Sequence, residues 1–239
     1  MRTIRVFVDA ILAPGREMEL DPRAARHVVR VLRRRTGDRI ALFDGRGNEA
    51  AAEIVRAHRQ QGCSVRIDSV SSVDRESPQS LELIQSLAKG DKLDLIVQKA
   101  TELGVFAIRP VVTGRSEVRP DTADRRLARW REIAINACEQ CGRNVVPAIH
   151  APVSLSDLAC DSEQRLMLLP GAERSLGGIE SVGGRVAVAV GPEGGLDGED
   201  VSRLEEKGFA PVGLGGRILR TETAAIAAIA ILQARFGDL

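Results

Sequence analysis

The sequence has no tyrosine, one tryptophan and five phenylalanines, so aromatics make up 3% of its 239 residues. That scarcity argues against a nucleic-acid surface of stacked rings. It also leaves the core to Leu, Ile, Val and Ala. Long apolar runs are missing as well. No stretch is long enough to cross a bilayer, and the N-terminus lacks a signal peptide's apolar segment, so no membrane contact and a cytoplasmic location are expected. Cysteine is sparse. Cys63, Cys138, Cys141 and Cys160 make neither a disulfide framework nor a metal set, because the C-x-x-C at 138–141 has no second pair and lies in a helical pattern. No metal is expected. A dominant charge is absent too: 34 basic against 33 acidic residues leave a net charge of +1, so the whole chain is not a polycation.

What is present is ordinary in bulk and uneven in place. With 44% hydrophobic and 28% charged residues, the chain reads as soluble and globular, with one large or two small domains. Arginine is concentrated at 23, 26, 30, 33, 34, 35 and 39, opposed in that stretch only by Asp38. Such density suits a phosphate backbone, although a solvated helix face is the commoner fate of a charge run. Asp21-Pro22 is a helix start, with Asp as N-cap and Pro at the first helical position. The helix is expected to reach about Leu32, with Ala24, Val28 and Val31 inward and Arg23, Arg26, Arg30 and Arg33 outward. Strands are expected at 4–8, 39–43, 49–57 and 64–73. The first domain therefore spans 1–73 and is rich in β-structure.

Residues 74–78 are polar, contain a proline and read as a linker. From 79 to 239 the rhythm changes to alternating strands and helices, the signature of a mostly parallel sheet covered by helices. Strands are expected at 81–87, 107–112, 165–169, 185–190 and 211–214. Helices are expected at 91–103, closed by Gly104 at C′, and at 124–141, with further helices opening near Asp197 and Thr221. Two glycine-rich segments stand out, Gly191-Pro192-Glu193-Gly194-Gly195-Leu196 and 214–226, LGGRILRTETAAI. Each follows a short apolar run and leads into a helix. Glycine-rich loops at the carboxyl ends of parallel strands are where an open α/β sheet holds its ligand. Neither loop matches the common nucleotide signatures, and neither carries the lysine that neutralises a triphosphate, so a ligand other than a polyphosphate is expected.

In order, GPEGGL and LGGRILRTETA resemble the SPOUT class of methyltransferases. With HVVRVLR at 27–33, LFDG at 42–45, KGDKLDLIVQKATELGV at 89–105, ACEQCGRNVVP at 137–147 and RFGDL at 235–239, the chain resembles the RsmE family of 16S ribosomal RNA (uracil-N3)-methyltransferases. The resemblance implies a PUA-like RNA-binding β-barrel at 1–73 and, at 79–239, an α/β domain with helices on both faces of its sheet and a trefoil knot. It also implies a homodimer built around the knotted region. The nearly uncharged helix at 223–234 and the apolar stripe Leu127, Trp130, Ala134, Cys138 and Cys141 fit such an interface.

The implied cofactor is S-adenosylmethionine, and the implied substrate is 16S rRNA in the small ribosomal subunit. By motif match the cofactor pocket comprises Leu168, Leu169, Gly191, Pro192, Glu193, Gly194, Gly195, Leu214, Gly215, Ile218, Leu219, Arg220, Thr221, Thr223 and Ala224. Uridine N3 is protonated at neutral pH, so its proton must be removed or its anion stabilised. Arg220 is the candidate cation and Glu222 the candidate proton acceptor, although Glu222 also fits donor binding or helix capping. Arg143 and Asn144 join Arg23, Arg26, Arg30 and Arg33 as candidate RNA contacts; capping around Gly142 is the bland reading. Two other readings stay open: a SPOUT enzyme acting on another target, such as a ribose 2′-hydroxyl of transfer RNA, and a non-enzymatic RNA-binding protein.

Overall fold

The computed structural model describes residues 3–116, 120–180 and 183–239, without the side chains of 120–125. The chain divides into two units. The first comprises 1–76 together with Cys138–Val146; the second comprises Ser77–Ala137 and Pro147–Leu239. A segment from the middle of the chain belongs with the N-terminal unit, which a linear reading of domain boundaries does not reveal.

In the first unit, β1 (Arg5–Phe7), β3 (Arg39–Phe43), β4 (Asn48–His58), β5 (Gly62–Ser72) and β2 (Glu17–Glu19) lie in that spatial order. β1 pairs β3 in parallel and the other neighbours are antiparallel. Together they form the five-stranded sheet of this unit. Register shifts between Ala51 and Ala52 and between Ile54 and Arg56 mark where the long β4–β5 hairpin departs from regular pairing. Val6, Leu42, Ile54, Val65, Ile67 and Val28 lie in its core.

α1 (Pro22–Arg26) begins as expected: the Asp21 carboxylate accepts from the Arg23 and Ala24 amides at 2.8 and 3.0 Å. It then widens into a π turn at His27–Val31, closed by the Leu32 amide bonding to the His27 carbonyl at 2.9 Å. A π turn bonds i to i+5, so it rotates the following residues off a 3.6-residue register. Val31, expected inward, is therefore 63% exposed. Arg33 adopts φ 53° and stops the helix. The fourth arginine of the expected stripe thus lies beyond it.

The second unit is a seven-stranded, all-parallel sheet. Its strands are β6 (Leu81–Ser86), β7 (Ala107–Val112), β8 (Ala148–Ile149), β9 (Val153–Ser154), β10 (Gln164–Leu168), β11 (Val186–Val190) and β12 (Ala210–Val212). The order is β12-β10-β11-β6-β7-β8, with β9 also on β7. Its helices are α2 (Lys92–Glu102), α3 (Pro120–Cys141), α4 (Gly198–Glu206) and α5 (Thr221–Phe236). Central strands β6 and β11 are buried at every residue, as a sheet covered on both faces requires. One face packs Ile84, Met167, Ala187 and Ala189 against Leu204 of α4 and Phe209. α5 packs with α2 and contacts β6 and β11.

Trp130, Ala134 and Cys138 of α3 are buried within the chain, with Leu127 and Cys141 partly so. That stripe is core and does not argue for a partner. Burial pushes the Cys138 thiol up to about 12, against a smaller opposing effect of Arg143, so it stays protonated. β2, β8 and β9, at two or three residues, are too short to leave an alternating pattern.

Candidate functional site

Parallel strands deliver their following loops to one edge of the sheet. At that edge the loops after β10, β11 and β12 enclose an open, largely apolar cleft, and clefts of that kind at the ends of parallel strands hold small organic ligands. Ten of the expected residues line it: Leu168, Leu169, Gly191, Pro192, Gly195, Leu214, Gly215, Leu219, Thr221 and Ala224. Pro170, Val190, Leu196, Val212 and Arg217 line it as well. The first four of these flank the loops, where strand-end side chains turn into the cleft. Arg217 is the first basic residue of LGGRILR and, among the described residues, the only charged group in the lining.

The β11 loop is a tight turn, closed by the Gly195 amide bonding to the Pro192 carbonyl at 2.9 Å. A Cβ on Gly191 would stand 2.9 Å from the Leu196 nitrogen, so only glycine fits against that backbone. Neighbouring loops hold the turn. The Glu193 carboxylate accepts from the Lys89 amide at 3.0 Å and from Lys92 Nζ at 2.6 Å. Burial alone would raise the Glu193 carboxyl, but these bonds outweigh it and hold it below the usual carboxylate range. Arg115 Nη1 donates to the Gly194 carbonyl at 2.6 Å. Glu193 and Gly194, both expected as cofactor contacts, are thus engaged by other loops and do not line the cleft. α4 opens with a reciprocal capping box between Asp197 and Asp200, whose carboxylate also accepts from the Gly114 amide at 3.0 Å.

Three more expected contacts stand outside the lining. Ile218 is 87% exposed. Thr223 and Arg220 are exposed in the first turn of α5 and at its N-cap. Arg220 makes no ion pair among the described residues, and its side chain does not cap the helix. The α5 N-terminus therefore keeps uncapped amides and their partial positive charge. Glu222 is half-buried in the same turn, and its Oε2 is buried with no hydrogen-bond partner. A cation without an ion pair among the described residues and a buried, unpartnered carboxylate oxygen thus stand at the start of the helix whose Thr221 and Ala224 line the cleft.

Arg143 and Asn144 correct the sequence reading. They are 5% and 1% exposed. Arg143 pairs with Glu76, Nε lying 3.2 and 3.1 Å from the two carboxylate oxygens. Asn144 Oδ1 accepts from Arg5 and, at 3.1 Å, from Arg75, while its Nδ2 donates to the Val73 carbonyl at 3.0 Å. Both residues tie 138–146 into the first unit and present no free edge to RNA. Burial would raise the nearby Glu49 carboxyl, but hydrogen bonds from Arg75 and Arg5 outweigh it and lower it.

Of the arginine group, Arg23 is partly buried and pairs with Glu139 at 3.1 Å. Arg26, Arg30 and Arg33 are exposed. Arg26 and Arg30 line a groove between α1 and the β4–β5 turn, together with His58, Arg59, Gln60 and Gln61. Arg30 Nη2 donates to the Arg59 carbonyl at 3.0 Å. Arg59 escapes a sequence reading because nothing in a hairpin turn marks it as a neighbour of the helix.

Among the described residues no group of three or more His, Cys, Asp or Glu gathers to hold a metal, and no helix is long and apolar enough to cross a membrane. An RNA methyltransferase domain model matches residues 75–233, and an RNA methyltransferase PUA domain model matches 20–65. The chain is 33% identical to the ribosomal RNA small subunit methyltransferase E of Bacillus subtilis, over 87% of this chain and 86% of that one. It is 29% identical to the protein of the same name from Buchnera aphidicola, over 100% and 98% of the two chains. The crystal structure of a ribosomal RNA small subunit methyltransferase E from Neisseria gonorrhoeae, bound to S-adenosyl methionine, superposes with a TM-score of 0.92 at 38% identity and covers 100% of both chains.

Proposed function

Because this chain belongs to the family of the ribosomal RNA small subunit methyltransferases E, we propose that it transfers a methyl group from S-adenosylmethionine to N3 of a uridine in 16S rRNA of the small subunit. It is an S-adenosylmethionine-dependent rRNA methyltransferase with an N-terminal PUA-like domain. The observation that carries the finer reading is the apolar cleft at the ends of β10, β11 and β12, with Arg220 and Glu222 unpaired beside it. The cleft fits the cofactor. Leucine, valine and proline faces suit an adenine ring, and the Gly191 backbone lies where a Cβ has no room.

Bound S-adenosylmethionine supplies a methyl group on a sulfonium that is already electrophilic. The chain's own work is to orient the uracil and handle its proton. Good orientation is worth ~7–11 kcal/mol. The Glu222 carboxylate, whose buried Oε2 has no partner to give up, accepts the N3 proton, and the Arg220 guanidinium, at a positive helix end, stabilises the charge that develops on the uracil oxygens. A ribose 2′-hydroxyl as target is the competing outcome. Transfer of labelled methyl into purified small subunits and, in parallel, into transfer RNA tests the reading: label in 16S rRNA is expected, and label only in transfer RNA contradicts it.

The exposed arginines of the first unit hold the surrounding RNA through phosphates. Replacing Arg26 and Arg30 together by Ala is expected to reduce the slope of log affinity against log salt by about one to two units, because each lost phosphate contact removes about one released counterion. Donor affinity is expected to stay as it is. An unaltered slope makes the groove a merely solvated face.

We also place the chain in the cytoplasm, as a homodimer with a knotted α/β domain. The support for the dimer is α5. Its inner residues Ala225, Ala228, Ile229 and Leu232 are buried, while Ile226, Ala227, Ala230 and Ile231 are only partly covered and carry no charge. An uncharged, half-covered helix face is interface-like. Ile226→Glu is expected to convert a dimer to a monomer in sedimentation velocity. A wild-type chain that sediments as a monomer at micromolar concentration with full activity contradicts the assignment.

A further inference from the structure

Gln85 is the one amide on β6, a strand buried at every position, and it is 0% exposed. A polar group in that place must be bonded. Its Nε2 donates to the Ser86 carbonyl at 3.1 Å and to Thr221 Oγ1 at 3.0 Å. Thr221 Oγ1 in turn donates to the Gly191 carbonyl at 2.7 Å. The direction of this relay is fixed by counting hydrogens. Thr221 has one, already given to Gly191, so it must accept from Gln85. Turning the amide over would put Oε1 against Thr221 and draw that hydrogen away from Gly191. In the observed orientation Gln85 Oε1 is buried with no partner.

Gly191 and Thr221 stand on different walls of the cleft, in the loop after β11 and at the first residue of α5. We propose that Gln85 is a positioning residue for donor binding: acting through Thr221, it locks the Gly191 carbonyl and so holds the two walls in register on the central strand. This rests on the reading of the cleft as the S-adenosylmethionine site. β6 and β11 are paired, with Gln85 opposite Val190, so the relay reaches the β11 loop from its neighbouring strand. Preorganised walls cost the ligand less to bind than walls it must assemble.

The test is calorimetric titration of the full chain with S-adenosylmethionine, beside thermal melting. Gln85→Glu is close in shape but brings only acceptors. Its carboxylate takes the Thr221 hydrogen and frees the Gly191 carbonyl, so Kd is expected to rise by roughly tenfold or more, the effect of one buried hydrogen bond. Gln85→Met cannot take that hydrogen and leaves Thr221 on Gly191, so its Kd is expected to rise less than that of Gln85→Glu. Thr221→Val is expected to raise Kd by roughly tenfold, and Thr221→Ser, which restores the hydroxyl, to recover most of the loss. Should Gln85→Glu fail to fold, the Thr221 pair decides. Equal losses in the Glu and Met variants, or no recovery with Ser, make the relay a packing feature and overturn the proposal. A wild-type chain that binds no donor overturns the reading of the cleft instead. Wild-type binding that Gln85→Glu and Thr221→Val leave untouched overturns the relay alone.

Discussion

Arg220→Ala is expected to lower single-turnover methyl transfer by about 10²–10³, the range seen when one group that stabilises developing charge is lost. The side chain is exposed, makes no ion pair among the described residues and sits at the uncapped N-terminus of a 16-residue helix. A neutral uracil gains little from a cation there; an N3 anion gains much. The interaction therefore belongs mainly to the transition state and should appear in turnover rather than in binding. Donor affinity is expected to change far less, because Arg220 does not line the cleft. Arg220→Lys is expected to recover only part of the rate, since an ammonium is a point charge without the planar fork. The measurement is single-turnover transfer to small subunits, beside donor binding by calorimetry. Normal turnover removes Arg220 from the mechanism. Equal losses of rate and affinity make it a binding residue.

Gly191→Ala is expected to weaken donor binding by about 10–10²-fold, because forcing an atom into packed backbone costs ~1–3 kcal/mol. The new Cβ would meet the Leu196 nitrogen at 2.9 Å and the Gly195 carbonyl carbon at 3.1 Å. Both are main-chain atoms of the turn that walls the cleft, so the wall itself must move. Gly216→Ala is the matched control. Nothing lies within 4 Å of its Cβ, and its φ is not in the left-handed region, so affinity is expected to be retained. Gly195 differs from both: it has space but adopts φ 72°, so its requirement is conformational. Equal affinities for the Gly191→Ala and Gly216→Ala variants would contradict the placement of the cleft.

The sequence announces those elements whose signal is local. Asp21-Pro22 caps α1, Asp197 caps α4, and two glycine loops after apolar runs mark the ligand edge of the sheet. It is silent where the outcome depends on a distant partner. Arg143 and Asn144 look like RNA contacts until Glu76, Arg5 and Arg75 bury them. Glu193 looks like a cofactor contact until Lys89 and Lys92 engage it. Val31 fits an inward stripe only if the helix keeps 3.6 residues per turn, which the π turn breaks. Gln85 stands with Glu82 and Ser86 among the polar residues of the strand LELIQS, and its meaning requires Thr221, 136 residues on.

By the reading above, this chain methylates a uridine ring nitrogen in the small subunit. Nucleoside mass spectrometry of 16S rRNA, after incubation of unmodified small subunits with the purified protein and S-adenosylmethionine, tests it most directly. N3-methyluridine is expected, formed with the wild-type chain and strongly reduced with Arg220→Ala. A 2′-O-methylated nucleoside, or no new nucleoside from a chain that binds the donor, would contradict it.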